Sequence, residues 1–182
     1  TKSLAASYDI DNSLRFNAPD DPSLSRTFGA GNRRAFTLSF WVKRVDWEHG
    51  SYIFSVTSSG TDGPGSGYLY LSTSGAINFQ PSYDNVTAYS VTTTPVYRDP
   101  SSWYHIVAVW DSDNVTEADR IRIYVNGDRV TAFSSTAYPT RYLDSEWLNT
   151  AILHYISTYD GTNSPCNDYL AEFYFIDGQA LT

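Results

Sequence analysis

Hydrophobic and polar residues alternate with a period of two along most of this chain. The segment TLSFWVKRV, Thr37 to Val45, sets Leu38, Phe40 and Val42 on one face and Ser39, Trp41 and Lys43 on the other. Successive side chains on a strand point to opposite faces, so this pattern predicts a half-buried strand. The alternation returns in SLRFN (Ser13 to Asn17), SYIFSVT, GYLYLST, GAINFQ, AYSVTTT, SWYHIVAVWD, RIRIYVNG, DRVTAF, TAILHYIST and DYLAEFYFID. Ser74-Gly75 is placed to turn GYLYLST into GAINFQ. Clusters of Gly, Asn, Asp and Pro separate these segments at short spacing, which predicts an antiparallel sandwich or barrel. No stretch carries an apolar stripe at helical period with caps, apart from a turn near DSEWLNT. No repeat or linker divides residues 1–182, which are read as one all-β domain long enough to bury a core.

The sharpest local signal is RIRIYVNGDRV, Arg120 to Val130. Ile121, Ile123 and Val125 share one face; Arg120, Arg122 and Tyr124 share the other. Asn126-Gly127 tolerates the positive φ angles of a type I′ turn, whose twist matches its flanking strands. A slip by one residue would expose three branched aliphatics and bury two arginines, so the register is strongly specified.

Composition agrees. The 15 Tyr, 9 Phe and 5 Trp, beside 11 Gly and 8 Pro, make a β-rich profile. A net charge of −8 and a pI near 4.6 argue against nucleic acid and against an anionic membrane surface. No apolar run approaches the roughly 20 residues that span a bilayer. TKSLAASYDIDNS lacks the apolar centre of a signal peptide. The chain has no methionine, so Thr1 is expected to follow trimming, processing or excision from a longer chain. Cys166 is alone, which excludes an internal disulfide and a cysteine zinc site. Asn85-Val86-Thr87 and Asn114-Val115-Thr116 are sequons in expected loops, a pattern that also arises by chance.

Several segments carry a family likeness. WYHIVAVWD (Trp103 to Asp111), RIRIYVNGDRV and YLAEFYFIDGQALT, with SLRFN and FTLSFWVKR before them, resemble the laminin G-like branch of the concanavalin A-like lectin/glucanase superfamily. NRRAFTLSFWVKR, VYRDPSSWYHIVAVWD, EADRIRIYVNG and YLAEFYFIDGQALT, in that order, are similar to such domains in virion proteins of tailed phages, marine ones especially. The resemblance implies a jelly roll of two packed antiparallel sheets. It also implies a virion structural domain, a decoration, fibre or tail component at the particle surface. Its partners would be other virion subunits, a homo-oligomer by analogy with symmetric appendages, and host-surface polysaccharide.

Candidate chemistry is then weighed residue by residue. Retaining glycosidases need two carboxylates about 5 Å apart, and the superfamily's glucanases carry a Glu-x-Asp-x-x-Glu-like string. None of Glu48, Glu117, Glu146 and Glu172 belongs to one, so a non-enzymatic role is expected and a degenerate glycanase is the rival. Glu172 falls where the closing strand of the family carries an acid, a structural position. His49, His105 and His154 show no metal or triad spacing. The Gly-rich run Ser58 to Gly67 lacks a phosphate loop's lysine and reads as a mobile surface loop. No cofactor is expected other than calcium, for which Asp111, Asp113, Glu117 and Asp119 offer hard oxygens without an EF-hand's glycine and terminal glutamate. Glycan contact is the sharper idea, with loop-placed Trp47, Tyr83, Tyr97, Tyr138, Trp147 and Tyr159 as stacking candidates. Trp41, Trp103 and Trp110 lie on expected strands and read as packing residues. A cellular adhesion or lectin module would share this fold and chemistry.

Overall fold

The computed structural model describes residues 9–57, 65–83 and 86–181. Most of the Gly-rich run, residues 58–64, and the sequon residue Asn85 lie outside the described residues. Thirteen strands are present among them: β1 (Leu14–Arg15), β2 (Leu24–Thr27), β3 (Ala35–Arg44), β4 (Ser51–Thr57), β5 (Ser66–Leu71), β6 (Ile77–Tyr83), β7 (Ala88–Thr93), β8 (Tyr104–Asp111), β9 (Ile121–Val125), β10 (Asp128–Arg129), β11 (Phe133–Ala137), β12 (Leu153–Ile156) and β13 (Asp168–Asp177). The only helical turns there are of 3₁₀ type, Ala18–Asp20 and Glu117–Asp119. The segment DSEWLNT forms irregular turns.

Two antiparallel sheets stack face to face. One has six strands in the order β1-β13-β3-β8-β9-β10, the other seven in the order β11-β7-β6-β5-β4-β12-β2. The inner face of β3 is Phe36, Leu38, Phe40 and Val42, each no more than 1% exposed, while Ser39, Trp41 and Lys43 face outward and stay half-buried. Phe54, Val56, Leu69, Leu71, Ile77, Phe79 and Val91 meet them from the seven-stranded sheet. Ile121 and Ile123 are fully buried, and Trp110 fills the space beside Phe36. Burying one such side chain is worth about 1.5–3 kcal/mol. That gain is what fixes which residues of each strand turn inward.

The Asn126-Gly127 hairpin forms as its sequence predicts, with φ of 53° and 86° at the two tip residues. The Asn126 side chain also accepts a hydrogen bond from the His105 amide at 2.9 Å, tying the turn to β8. The expectation that outward arginines stay in water fails at Arg122, which is 6% exposed. It is buried because Asp111 of the neighbouring strand pairs with it at 3.3 Å and the Asp119 carbonyl accepts from it.

Both sheets are left uneven at one flank. β1 pairs only with Tyr169 and Leu170, so among the described residues β13 beyond its bulge at Glu172 (φ 48°) has no strand paired on its outer side. In the facing sheet β2 is the edge, and all four of its residues are exposed.

Candidate functional site

On β5, Tyr68 and Tyr70 alternate with buried Leu69 and Leu71, so the tyrosines must point to the outer face of the seven-stranded sheet. Tyr52 of β4 lies directly opposite Tyr70, and the two ring centroids are 4.6 Å apart. Tyr68 meets Tyr52 edge-on at 5.3 Å, and Tyr159 packs on it at 4.8 Å. The cross-strand row continues from Tyr70 to Asn78 and Thr92, whose side chains are hydrogen-bonded to each other at 2.9 Å.

At the end of this face the half-buried Tyr70, supported by Tyr52 at 8% exposure, floors an open cleft of about 550 Å³, bordered by Glu48, His49, Gly50, Thr73 and Ser164. Gly50 is required there. A Cβ at this position would sit 1.8 Å from the Tyr70 hydroxyl, so only glycine lets that ring lie across the loop.

Two buried supports hold the cleft walls. Arg44 donates to the carbonyls of His49 at 2.6 Å and Ser72 at 3.0 Å, linking the Glu48–His49 loop to the turn after β5. It also pairs with Asp168, at 3.3 Å, with both side chains nearly inaccessible. Burial pushes the Asp168 carboxyl above its ordinary value, even though Arg44 pulls the other way. The opposite wall is the 157–166 loop. Ser55 donates to the carbonyls of Thr158 and Tyr159, and the Cys166 thiol donates to the Tyr52 carbonyl. Burial drives the Cys166 thiol far up, so it is an inert packing group. Burial alone would raise the Asp160 carboxyl, but hydrogen bonds from Asn163 and Thr162 outweigh it and hold it low, bracing the loop tip.

The aromatic residues singled out from sequence do not converge. Trp47 lies under the Arg44 guanidinium at 4.3 Å and shares a small cavity with Tyr97, which packs edge-on against Tyr104. Trp147 donates its indole N–H to the Tyr83 carbonyl at 2.9 Å at a different part of the sheet. Tyr138 is half-buried against the core. Tyr159 lies on a loop as its sequence setting predicts, but it is 4% exposed, because that loop folds back over Tyr52. Trp41 and Trp103 are half-buried on the outer face of the six-stranded sheet, against His105 and Tyr169 respectively, whereas Trp110 is fully interior. Tyr52 and Tyr70 were missed, although the Tyr-Leu-Tyr-Leu alternation of β5 was the available signal.

The calcium candidates are also dispersed. Asp111 pairs with Arg122, Asp113 with Arg34 and Asp119 with Arg129, while Glu117 starts an exposed 3₁₀ turn. Each of the three aspartates is met by an arginine arriving from elsewhere in the fold, so the donor set does not fit a cation. Among the described residues no three His, Cys, Asp or Glu side chains group as metal ligands. Glu172 is exposed at the β13 bulge.

A family described as the concanavalin A-like lectin/glucanases superfamily matches residues 17–179. Among solved structures, the heptameric SAP-like pentraxin from Limulus polyphemus aligns over 97% of this chain and 80% of its own, with a TM-score of 0.63 and 19% identity. Mouse laminin α1 domains LG4-5 align over 99% of this chain and 46% of theirs, at TM-score 0.64 and 11% identity. The CBM40 of the Ruminococcus gnavus IT-sialidase, solved bound to α2,3 sialyllactose, aligns over 89% and 94% at TM-score 0.59 and 14% identity. At these identities the likeness is one of fold. No curated protein matches the chain in sequence.

Proposed function

The chain belongs to the concanavalin A-like lectin/glucanase superfamily, and on that premise we propose that it is a non-enzymatic glycan-binding module serving as a decoration, fibre or tail component of a virion. The observation that carries the binding half is the cleft over Tyr52 and Tyr70. Its volume falls within the roughly 300–1,000 Å³ of small-ligand sites. A ring face with a hydroxyl at its tip suits a sugar, whose CH face stacks while its hydroxyls seek partners. Glu48, His49, Thr73 and Ser164 supply those partners at the rim.

Glu48 is the one carboxylate among the described residues lining the cleft. A single acid cannot perform the two-carboxylate displacement of retaining hydrolases. It also disfavours anionic sugars, as does the net charge of −8, so neutral polysaccharide of a host surface is the favoured ligand. The structure of CBM40 bound to α2,3 sialyllactose supports the use of this fold for sugar.

The virion half rests on the ordered phage-like motifs. Other virion subunits, further copies of this chain among them, are its partners on this reading. The test is a glycan array of neutral and acidic polysaccharides probed with the native chain and Tyr70→Ala. Binding to neutral glycans that Tyr70→Ala abolishes supports the module; binding to none leaves assembly as the whole function. Mass spectrometry of purified particles tests the location.

A further inference from the structure

A largely apolar groove lies along the uneven flank between the two sheets. Two cavities, of about 200 and 280 Å³, adjoin there and share Leu24, Ile156 and Phe173. The first runs along Leu14, Phe16 and Leu170; the second ends among Phe28, Phe54, Phe175 and His154. Among the described residues β1 pairs with β13 only at Tyr169 and Leu170, and beyond that pairing the half-buried Phe173 and Phe175 of β13 face β12 and β2. Leu14 and Leu24 at its rim are 57% and 47% exposed.

One polar group breaks this lining. His154 is 1% exposed, packed 4.7 Å from the Phe28 ring and 5.6 Å from Phe54. Its Nδ1 lies 2.9 Å from the Ile152 carbonyl, which can only accept, so Nδ1 carries the proton and Nε2 presents a lone pair. Nε2 is buried and has no hydrogen-bond partner among the described residues. Folded proteins rarely leave such an atom unmade, and a buried acceptor at the end of an apolar groove selects a ligand that donates.

We propose that the flank groove binds an apolar molecule bearing one neutral hydroxyl, a medium-chain alcohol in chemical class, with the O–H donating to His154 Nε2 and the tail lying along Phe173 toward Leu14. Burial lowers the His154 pKa, which keeps the ring an acceptor. A carboxylate has no proton to donate and would have to rely on Arg26 at the exposed mouth, whose guanidinium lies 5.8 Å from the Phe28 ring centre. An ammonium head would be stranded in an apolar chamber. This site is independent of the tyrosine cleft and of the glycan reading.

The test is calorimetric titration of the native chain with octanol, octyl methyl ether and octanoate, repeated on His154→Phe and Leu24→Glu. Expected is saturable one-to-one binding of octanol, with the ether roughly tenfold weaker because it cannot donate. His154→Phe should erase the preference of alcohol over ether. Leu24→Glu, at an exposed rim position where folding is not at stake, should weaken both. The proposal is overturned if octanol does not bind saturably, or if alcohol and ether bind the native chain equally. Tighter binding of octanoate that Arg26→Ala abolishes would overturn it as well.

Discussion

Arg44 and Asp168 stand directly opposite each other on β3 and β13, their side chains 3.3 Å apart and both almost fully buried, behind the loop that carries Glu48 and His49. An ion pair taken out of water contributes little net stability, but removing one partner strands the other charge. Arg44→Leu should therefore destabilise the chain by about 3–5 kcal/mol in urea unfolding. Because Arg44 also clasps the His49 and Ser72 carbonyls, the Glu48–His49 loop should lose hydrogen-exchange protection in the same variant.

Stability should respond to pH with opposite signs at two places. Asp168 has a raised pKa in the fold, so its contribution is fully present below the ordinary carboxylate pKa and is lost as pH rises through its folded value. Asp168→Asn should flatten that decline in thermal melts across the acid range.

His154 and His105 titrate the other way. Burial lowers both, with Glu172 opposing the shift at His105. The unfolded chain then binds protons first, and stability falls as pH drops below about 6.5 toward the folded values. His154→Phe should remove part of that fall. An unchanged slope would mean that His154 takes up its proton inside the fold.

At the hairpin tip, Gly127 has φ of 86° with open space around its Cβ position. Gly127→Ala meets no neighbour and suffers only the left-handed backbone. The expected loss is about 1–2 kcal/mol, read from the urea midpoint.

The architecture was legible where burial enforces alternation. β3, β8, β9 and β13 each pack one face on the core, so Leu38, Phe40, Ile121 and Ile123 could be assigned inward from spacing alone. β2 was not legible, because its residues Leu-Ser-Arg-Thr are all exposed and only pairing with β12 makes them a strand. Phe133–Ala137 was hidden likewise by its polar Ser-Ser-Thr centre, apart from Phe133 itself at the end of DRVTAF. The site was harder. Loop aromatics looked free, yet Tyr159 is folded back on Tyr52, and the cleft floor is made of strand tyrosines whose outward direction follows only from register. The acidic run around Asp111 suggested a cation because Arg34, Arg122 and Arg129, which satisfy it, approach from other parts of the fold.

The central claim is that the Tyr52–Tyr70 cleft holds sugar, and Gly50 gives the most direct handle on it. Its substitution by alanine would push the Tyr70 ring aside without removing any polar group. The measurement is calorimetric titration of native and Gly50→Ala chains with the neutral glycan bound best on an array. The account predicts measurable affinity for the native chain and a loss of roughly tenfold or more in Gly50→Ala, with the urea midpoint little changed. Equal affinity in the two chains would contradict it.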